Sequence, residues 1–375
     1  YMTWDASDPW VADTYYRAYY TIALCNEFLR HDTEAAAAGN AHLKAYRAEA
    51  RFLRALSYYY VLDLFGKGPF VDETMGVGSY TPGCYSNRQL FAYIERELKD
   101  IAADGLSDPG NCEYGRASKA AAWALLAKLY LNAEVYGAGT HYTDCITCCK
   151  KIVSAGFYLE QDYGKLFNAD NDKRTNEIIF PLVVDAVHTV SWGATTYIVC
   201  GECGNTSTQN PVRYGLTNGW GMFRVRGELP QLFAGREKTD RRYRFYTDGQ
   251  EQWLGKGIDN QSEGYFGEKY SNLTDAGEPA SNTGAAGCSI DYPVFRLADV
   301  YLMLAESVLR GGQGASLGEA LRYVNRVRER ASGSTGDDVT AAQLTLKFIL
   351  DERGRELYWE CTRRTDLIRY GLFTG

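Results

Sequence analysis

Histidine is scarce: His31, His42, His141 and His188 are the four copies in 375 residues, and no two form an HExxH or similar ligand pair. A catalytic metal bound through imidazole therefore lacks its usual ligands. Net positive charge is also missing. The formal net charge is -7, with both signs interspersed, so no basic stripe exists to neutralise a phosphate backbone and nucleic acid is not expected as a partner. No apolar run approaches the roughly 20 residues that a membrane-spanning helix needs. The opening Tyr1-Met2-Thr3-Trp4 has no charged or apolar leader region, so any signal peptide or lipid anchor is expected outside this sequence.

Aromatic residues are plentiful, 14% of the chain, and 29 of them are Tyr. A phenol has an apolar face and a polar tip, which suits half-wet packing or a surface that stacks sugars. Ten cysteines are present, two pairs of them with CxxC spacing. Cys145, Cys148, Cys149 and Ile152 fall at i, i+3, i+4 and i+7, one helix face, where Cys acts as a small buried hydrophobe and not as a zinc ligand. Cys200 and Cys203 lie in a Gly-rich loop after the strand-like Tyr197-Ile198-Val199, where a local disulfide and two free thiols are both open.

The regular structure comes as helix pairs. Apolar residues from Leu43 to Leu64 step by three and four, and Gly66, Gly68 and Pro69 stop that helix. A second runs from about Arg88 to Leu106. Residues 118 to 136 are apolar nearly all round, which marks a helix buried on most sides, and its partner runs from about Tyr142 to Ala155. Phe295, Ala298, Leu302, Ala305 and Leu309 repeat the helical step behind Asp291 and Pro293. Ser316 to Glu319 and Thr340 to Gln343 read as capping boxes for two further helices. Pairs of this size resemble tetratricopeptide units, so the expected fold is mainly α.

One domain over 1–375 is expected, with helical pairs in 1–155 and 291–375. Between them, 156–290 holds brief strand-like runs, Glu177 to Val184 and Thr195 to Cys200, among Gly, Asn, Ser and Thr. A loop-rich tract of that length is usually functional or disordered. Its aromatics, Trp192, Trp220, Tyr246, Trp253, Tyr265, Phe266 and Tyr270 among them, argue against disorder. The tract is the expected working face.

Catalytic motifs do not survive inspection. Gly314 to Gly318 matches GxSxG, but a helix and a turn precede it where a nucleophile elbow needs a strand, and Ser316 is already an N-cap. Gly249 to Gly257 is one residue too long for a P-loop and has no Ser or Thr after Lys256. Asp170-Asn171-Asp172 lacks the Gly and distal Glu of a calcium loop. Glu352, Glu356 and Glu360 project one turn apart, and glycoside hydrolases use two carboxyl groups about 5 to 9 Å apart. Arg353, Arg355, Arg363, Arg364 and Arg369 crowd the same stretch, so an ion-pair network that keeps those carboxylates ionised accounts for them better than a general acid does.

Three stretches together resemble the SusD/RagB family: Ala48 to Tyr60 closing on Leu64-Phe65-Gly66-Lys67-Gly68-Pro69-Phe70; Gly115-Arg116-Ala117-Ser118-Lys119 running into Leu125 to Tyr136; and Phe295 to Tyr301 followed by Asp351 to Leu357 and Asp366 to Gly371. Tyr197 to Gly201 and Thr217 to Trp220 are most similar to the starch-binding members. The resemblance implies a tetratricopeptide-like scaffold, an N-terminal lipid anchor in the outer membrane and delivery of captured glycan to a SusC-type TonB-dependent transporter. It also implies an arc of aromatic side chains cupping a glycan and no enzymatic activity. Tyr246 and Tyr270 are similar by position to two members of that arc, and Trp253 is a third candidate from its residue type alone. Neither a metal nor a cofactor is carried over, because the loop between Phe233 and Tyr243 is short where starch binders have a longer one with a metal site. Family members extend beyond both ends of this sequence, so part of the arc is expected to lie outside it. The competing readings are a glycoside hydrolase and a helical-repeat adaptor for protein partners.

Overall fold

The structure is a computed structural model describing residues 5, 7–76, 78, 81–189, 191–204, 209–255, 260–280 and 287–374. Lys256 and Gly257, the end of the P-loop-like stretch, lie outside the described residues. The chain forms two compact units: residues 1–155 with 311–314, and residues 156–310 with 315–375. The division after Ala155 falls where the helical pattern gives way to the loop-rich tract.

The first unit is built from helices packed in chain order: α1 (Pro9–His31), the short α2 (Glu34–Ala37), α3 (Ala41–Phe65), α4 (Asn87–Ala103), α5 (Lys119–Leu131) and α6 (Tyr142–Ser154). A small ribbon, β1 (Gly68–Pro69) with β2 (Cys84–Tyr85), lies between α3 and α4 in the chain. Local chemistry sets the helix ends. The Asn40 side chain accepts from the Leu43 N–H, and α3 ends on Gly66 at φ +74°, a left-handed turn that a residue without Cβ adopts at no steric cost. The Ser86–Gln89 capping box opens α4. In α5, ten of thirteen residues are buried, which requires cover on more than one side, and both α4 and α6 pack against it. Each fully buried leucine there contributes about 1.5 to 3 kcal/mol. Cys145, Cys148 and Cys149 are buried on one face of α6. Burial pushes the Cys148 thiol up to about 12, so it packs as a neutral group.

The second unit mixes short strands with helices. Strand β3 (Ile178–Leu182) pairs antiparallel with β6 (Tyr292–Arg296), Ile178 opposite Arg296 and Leu182 opposite Tyr292. Between them in the chain come α7 (Ala194–Glu202), α8 (Glu228–Gln231), and the ribbon of β4 (Phe245–Tyr246) with β5 (Phe266–Gly267). After β6 follow α9 (Leu297–Leu309), α10 (Leu317–Ser332), α11 (Leu346–Leu357) and α12 (Arg363–Arg369). α9 packs on both α10 and α11.

Three expectations are corrected here. Phe295 belongs to β6 and not to the helix after it, because Pro293 and Phe295 are buried while Tyr292 and Val294 are half-buried, an alternation of period two. Thr195 to Cys200 is helix, not strand: its β-branched residues read as a strand, but Thr195, Thr196, Val199 and Cys200 are buried at helical spacing. Thr340 and Gln343 do make their side-chain contacts, yet they close a turn, and α11 starts later with Thr345 accepting from the Phe348 N–H. Ser316 caps α10 as expected, accepting from the Glu319 N–H at 3.1 Å.

Candidate functional site

The three residues singled out from the sequence fall in unlike places. Tyr270 is 0% exposed, its ring edge-on to Phe167 and its hydroxyl donating to the Trp359 carbonyl. Tyr246 is 7% exposed and paired opposite Phe266 in the β4–β5 ribbon. Both rings are buried in this structure. Trp253 is 53% exposed and rests its indole on the backbone of Gly227, where a Cβ would fall 2.4 Å from the ring.

The rings that do come together form a continuous row. Trp192, 56% exposed, lies 5.9 Å from Trp220, which lies 6.0 Å from Tyr197. Tyr197 meets Phe223 at 4.9 Å, and Phe223 meets Trp359 at 5.5 Å. Trp192 is exposed and the other four are half-buried. Trp192 and Trp220 were legible as aromatics of the working tract. Tyr197, Phe223 and Trp359 were not, because the first was hidden in an apparent strand and the last sits among charged residues at a helix end.

Backbone contacts without side chains build this row. The segment Gly219 to Phe223 runs along the C-terminal half of α7, with the N–H groups of Trp220, Gly221 and Phe223 donating to the carbonyls of Cys200, Cys203 and Gly201. A Cβ on Gly219 would lie 2.5 Å from the Cys203 oxygen, and one on Gly201 would lie 2.3 Å from the Phe223 ring. Both glycines are needed for the close approach. Cys200 and Cys203 within this turn are buried free thiols.

Trp359 is held at φ +61°, and Ala194 and Cys361 also have positive φ, the three non-glycine cases among the described residues. Such conformations cost about 1 to 3 kcal/mol each and persist only when surroundings enforce them. Around Trp359 the enforcement is visible. The Glu356 carbonyl accepts from Tyr163 Oη at 2.8 Å and Arg296 Nη2 at 2.9 Å, and Lys269 Nζ donates to the Tyr358 carbonyl and to Glu360 at 2.6 Å. Beneath the row, Glu202 accepts from the Tyr270 N–H at 3.0 Å. Burial pushes this carboxyl up to about 8, against the opposing pull of that N–H and of Lys269. Gly267 leaves room for it: a Cβ there would lie 2.3 Å from Glu202 Oε2 and 2.9 Å from Trp359 Nε1.

Glu352 and Glu356 of α11, and Glu360 in the turn that follows it, are interior. Glu352 is bound by Arg242, Arg328 and Arg355 at 2.7 to 2.9 Å, Glu356 by Arg242, Arg296 and Arg330, and Glu360 by Arg296 and Lys269. Burial alone would raise Glu356, but Arg330, Arg296 and Arg242 hold it down at about 2. Most of these arginines come from outside α11, whereas the sequence pointed to neighbours within it. Arg353 instead pairs with Asp299 and Asp366, and Arg369 with Glu306 and Asp366. An ionised carboxylate held by arginines cannot serve as a general acid. Asp170 is likewise occupied, by Lys173 and the Asp275 N–H.

Comparison with known proteins bears directly on this arrangement. A model of the SusD family matches residues 124–375, and a second, described as starch-binding and associating with the outer membrane, matches residues 2–131. The chain belongs to the SusD family. It is 33% identical to the starch-binding protein SusD of Bacteroides thetaiotaomicron, over all of this chain and 72% of that protein. To a SusD-like protein of Bacteroides ovatus it is 25% identical, over 86% of this chain and 58% of the relative. Among solved structures, a SusD superfamily protein of Parabacteroides distasonis superposes with a TM-score of 0.76 at 21% identity, covering 96% of this chain and 75% of that one. Surface glycan-binding protein A of B. thetaiotaomicron, in complex with laminarihexaose, superposes with a TM-score of 0.73 at 21% identity, covering 96% and 76%. The helix-dominated SusD fold is therefore shared.

Proposed function

We propose that this chain is the glycan-capturing part of a cell-surface SusD-type protein. It binds starch, malto-oligosaccharide or a similar polysaccharide and delivers it to a SusC-type TonB-dependent transporter, with the protein tethered to the outer membrane by an N-terminal lipid. The observation that carries this reading is the row Trp192–Trp220–Tyr197–Phe223–Trp359, which ends in exposed indole and is fixed by glycines and a strained turn. Stacking the apolar face of a sugar on such rings removes both from water at about 25 cal/mol per Å² of apolar area. A row of rings suits a polymer, because successive sugars meet successive platforms while the gaps stay open to water. Trp253 stands outside the row as an additional platform for a longer chain.

The same reading makes the protein a binder and not a hydrolase. The carboxylates spaced for glycosidase chemistry are buried and held by arginine, and two of the similar proteins are named for starch or glycan binding. Electrophoresis of the folded protein through gels containing amylopectin, laminarin or no polysaccharide tests the proposal. Retardation by at least one glycan, without reducing ends released on prolonged incubation, is expected. Equal mobility in every gel, or steady release of reducing ends, would overturn it.

A further inference from the structure

A cleft of about 700 Å³ opens in the second unit where the C-terminal end of α10 meets the segment after residue 156. It shares no residue with the aromatic row. Its lining includes Arg241 and Arg326, the buried Arg330, and Tyr158, which is 65% exposed.

The arginines are placed, but two of them meet no carboxylate. Arg241 is fixed through its backbone N–H to the Ala331 carbonyl at 2.9 Å. Its guanidinium lies across Gly333, where a Cβ would fall 2.7 Å from Nη2, and Gly333 itself caps α10 at φ +76°. Arg326 leans on the Tyr301 hydroxyl and on the face of Tyr323. Both are exposed, and neither has an ion-pair partner among the described residues, so their charge is open to a ligand entering from solvent. Arg330 is neutralised by Glu356 and Glu177 through its terminal nitrogens, while its buried Nε has no partner. Glu329 also lines the cleft and supplies one acceptor of opposite charge.

Two unpaired guanidinium groups beside an exposed aromatic face, with one carboxylate to accept hydroxyl protons, match an acidic sugar. Guanidinium binds carboxylate or sulfate through charge-assisted hydrogen bonds, phenol stacks the ring face, and glutamate takes a hydroxyl. We infer that this cleft is a second saccharide site, selective for a sugar bearing carboxylate or sulfate and independent of the aromatic row.

Calorimetric titration of the full chain with oligogalacturonate, a sulfated galactan oligosaccharide and maltoheptaose tests the inference. Saturable heat with at least one acidic saccharide is expected, weakened at about 1 M salt, where the screening length is about 3 Å. Arg241→Ala with Arg326→Ala should reduce that affinity by about tenfold or more and leave any maltoheptaose affinity as it was. Tyr158→Ala, an exposed position, repeats the test should the double variant fold poorly. The acidic oligosaccharides also separate the two anionic groups. No heat with either, or acidic-sugar binding that survives both variants, overturns the site. Failure of maltoheptaose alone would count against the aromatic row and leave this inference standing.

Discussion

The Phe223 ring packs against Gly201, so close that a Cβ on the glycine would sit 2.3 Å from a ring carbon. The aromatic row therefore depends on a residue that has no side chain of its own. Gly201→Ala should cost about 1 to 3 kcal/mol of stability through overpacking and displace Phe223 from between Tyr197 and Trp359. Chemical denaturation should show that loss, and glycan affinity should fall even in protein that remains folded. Unchanged affinity would mean that the row is not the binding surface.

Tyr270 gives the opposite pattern. Its hydroxyl donates to the Trp359 carbonyl from a buried position, so Tyr270→Phe should cost about 0.5 to 1.5 kcal/mol and change affinity little. Trp253→Ala should leave stability within about 0.5 kcal/mol, as for an exposed substitution. It should weaken binding of a long glucan more than of a short one. Denaturant melts paired with titrations by maltotriose and amylopectin separate the two cases.

Buried ion pairs around Glu356 in α11 and Glu306 in α9 make the stability sensitive to acid. Glu356 and Glu306 titrate at about 2 in the folded chain against an ordinary glutamate value of 4.5. The unfolded chain binds the extra protons between those values, so the stability they contribute is complete above about 4.5 and is lost as pH falls toward 2. Glu356→Ala removes one of the two buried carboxylates that Arg296 and Arg330 share, leaving Glu177 as the other, and should cost about 3 to 5 kcal/mol. A thermal melt series from pH 7 down to pH 2 should show wild type losing its advantage over this variant across that window.

Glu202 works in the other direction. Its folded carboxyl holds a proton up to about 8, while an unfolded one releases it near 4.5. Here the folded state binds the extra proton, so stability falls as pH rises from about 4.5 to 8. Glu202→Gln keeps an acceptor for the Tyr270 N–H and removes that titration. Its melting temperature should gain on wild type with rising pH, whereas a constant offset would show that Glu202 is ionised in the fold.

The helical scaffold was legible because its signals are local. The apolar ring of α5, the Ser316 cap and the glycine stop at Gly66 each follow from neighbours in sequence. The site was legible only as a tract. Trp192 and Trp220 stood out by type, but what separates an exposed ring from a buried one is long-range packing: Tyr246 is covered by its pairing with Phe266, and Tyr270 by Phe167 and the turn at Trp359. Phe223 was invisible because its partner surface is the bare backbone of Gly201, and Trp359 because remote Lys269 and Arg296 hold its turn. The α11 carboxylates show the same limit. Their ion pairing was legible from charge density, but their partners Arg242, Arg328 and Arg330 arrive from other elements.

The central claim is that glycan binds along the row that begins at Trp192 and Trp220. Isothermal titration of wild type and of Trp192→Ala, Trp220→Ala and the double variant with maltoheptaose, and with laminarihexaose as an alternative, tests it most directly. Saturable heat for wild type, a loss of about 1 to 2 kcal/mol for each single variant and no detectable heat for the double variant, all with unchanged melting curves, is the predicted result. Wild-type affinity retained in the double variant would contradict the account.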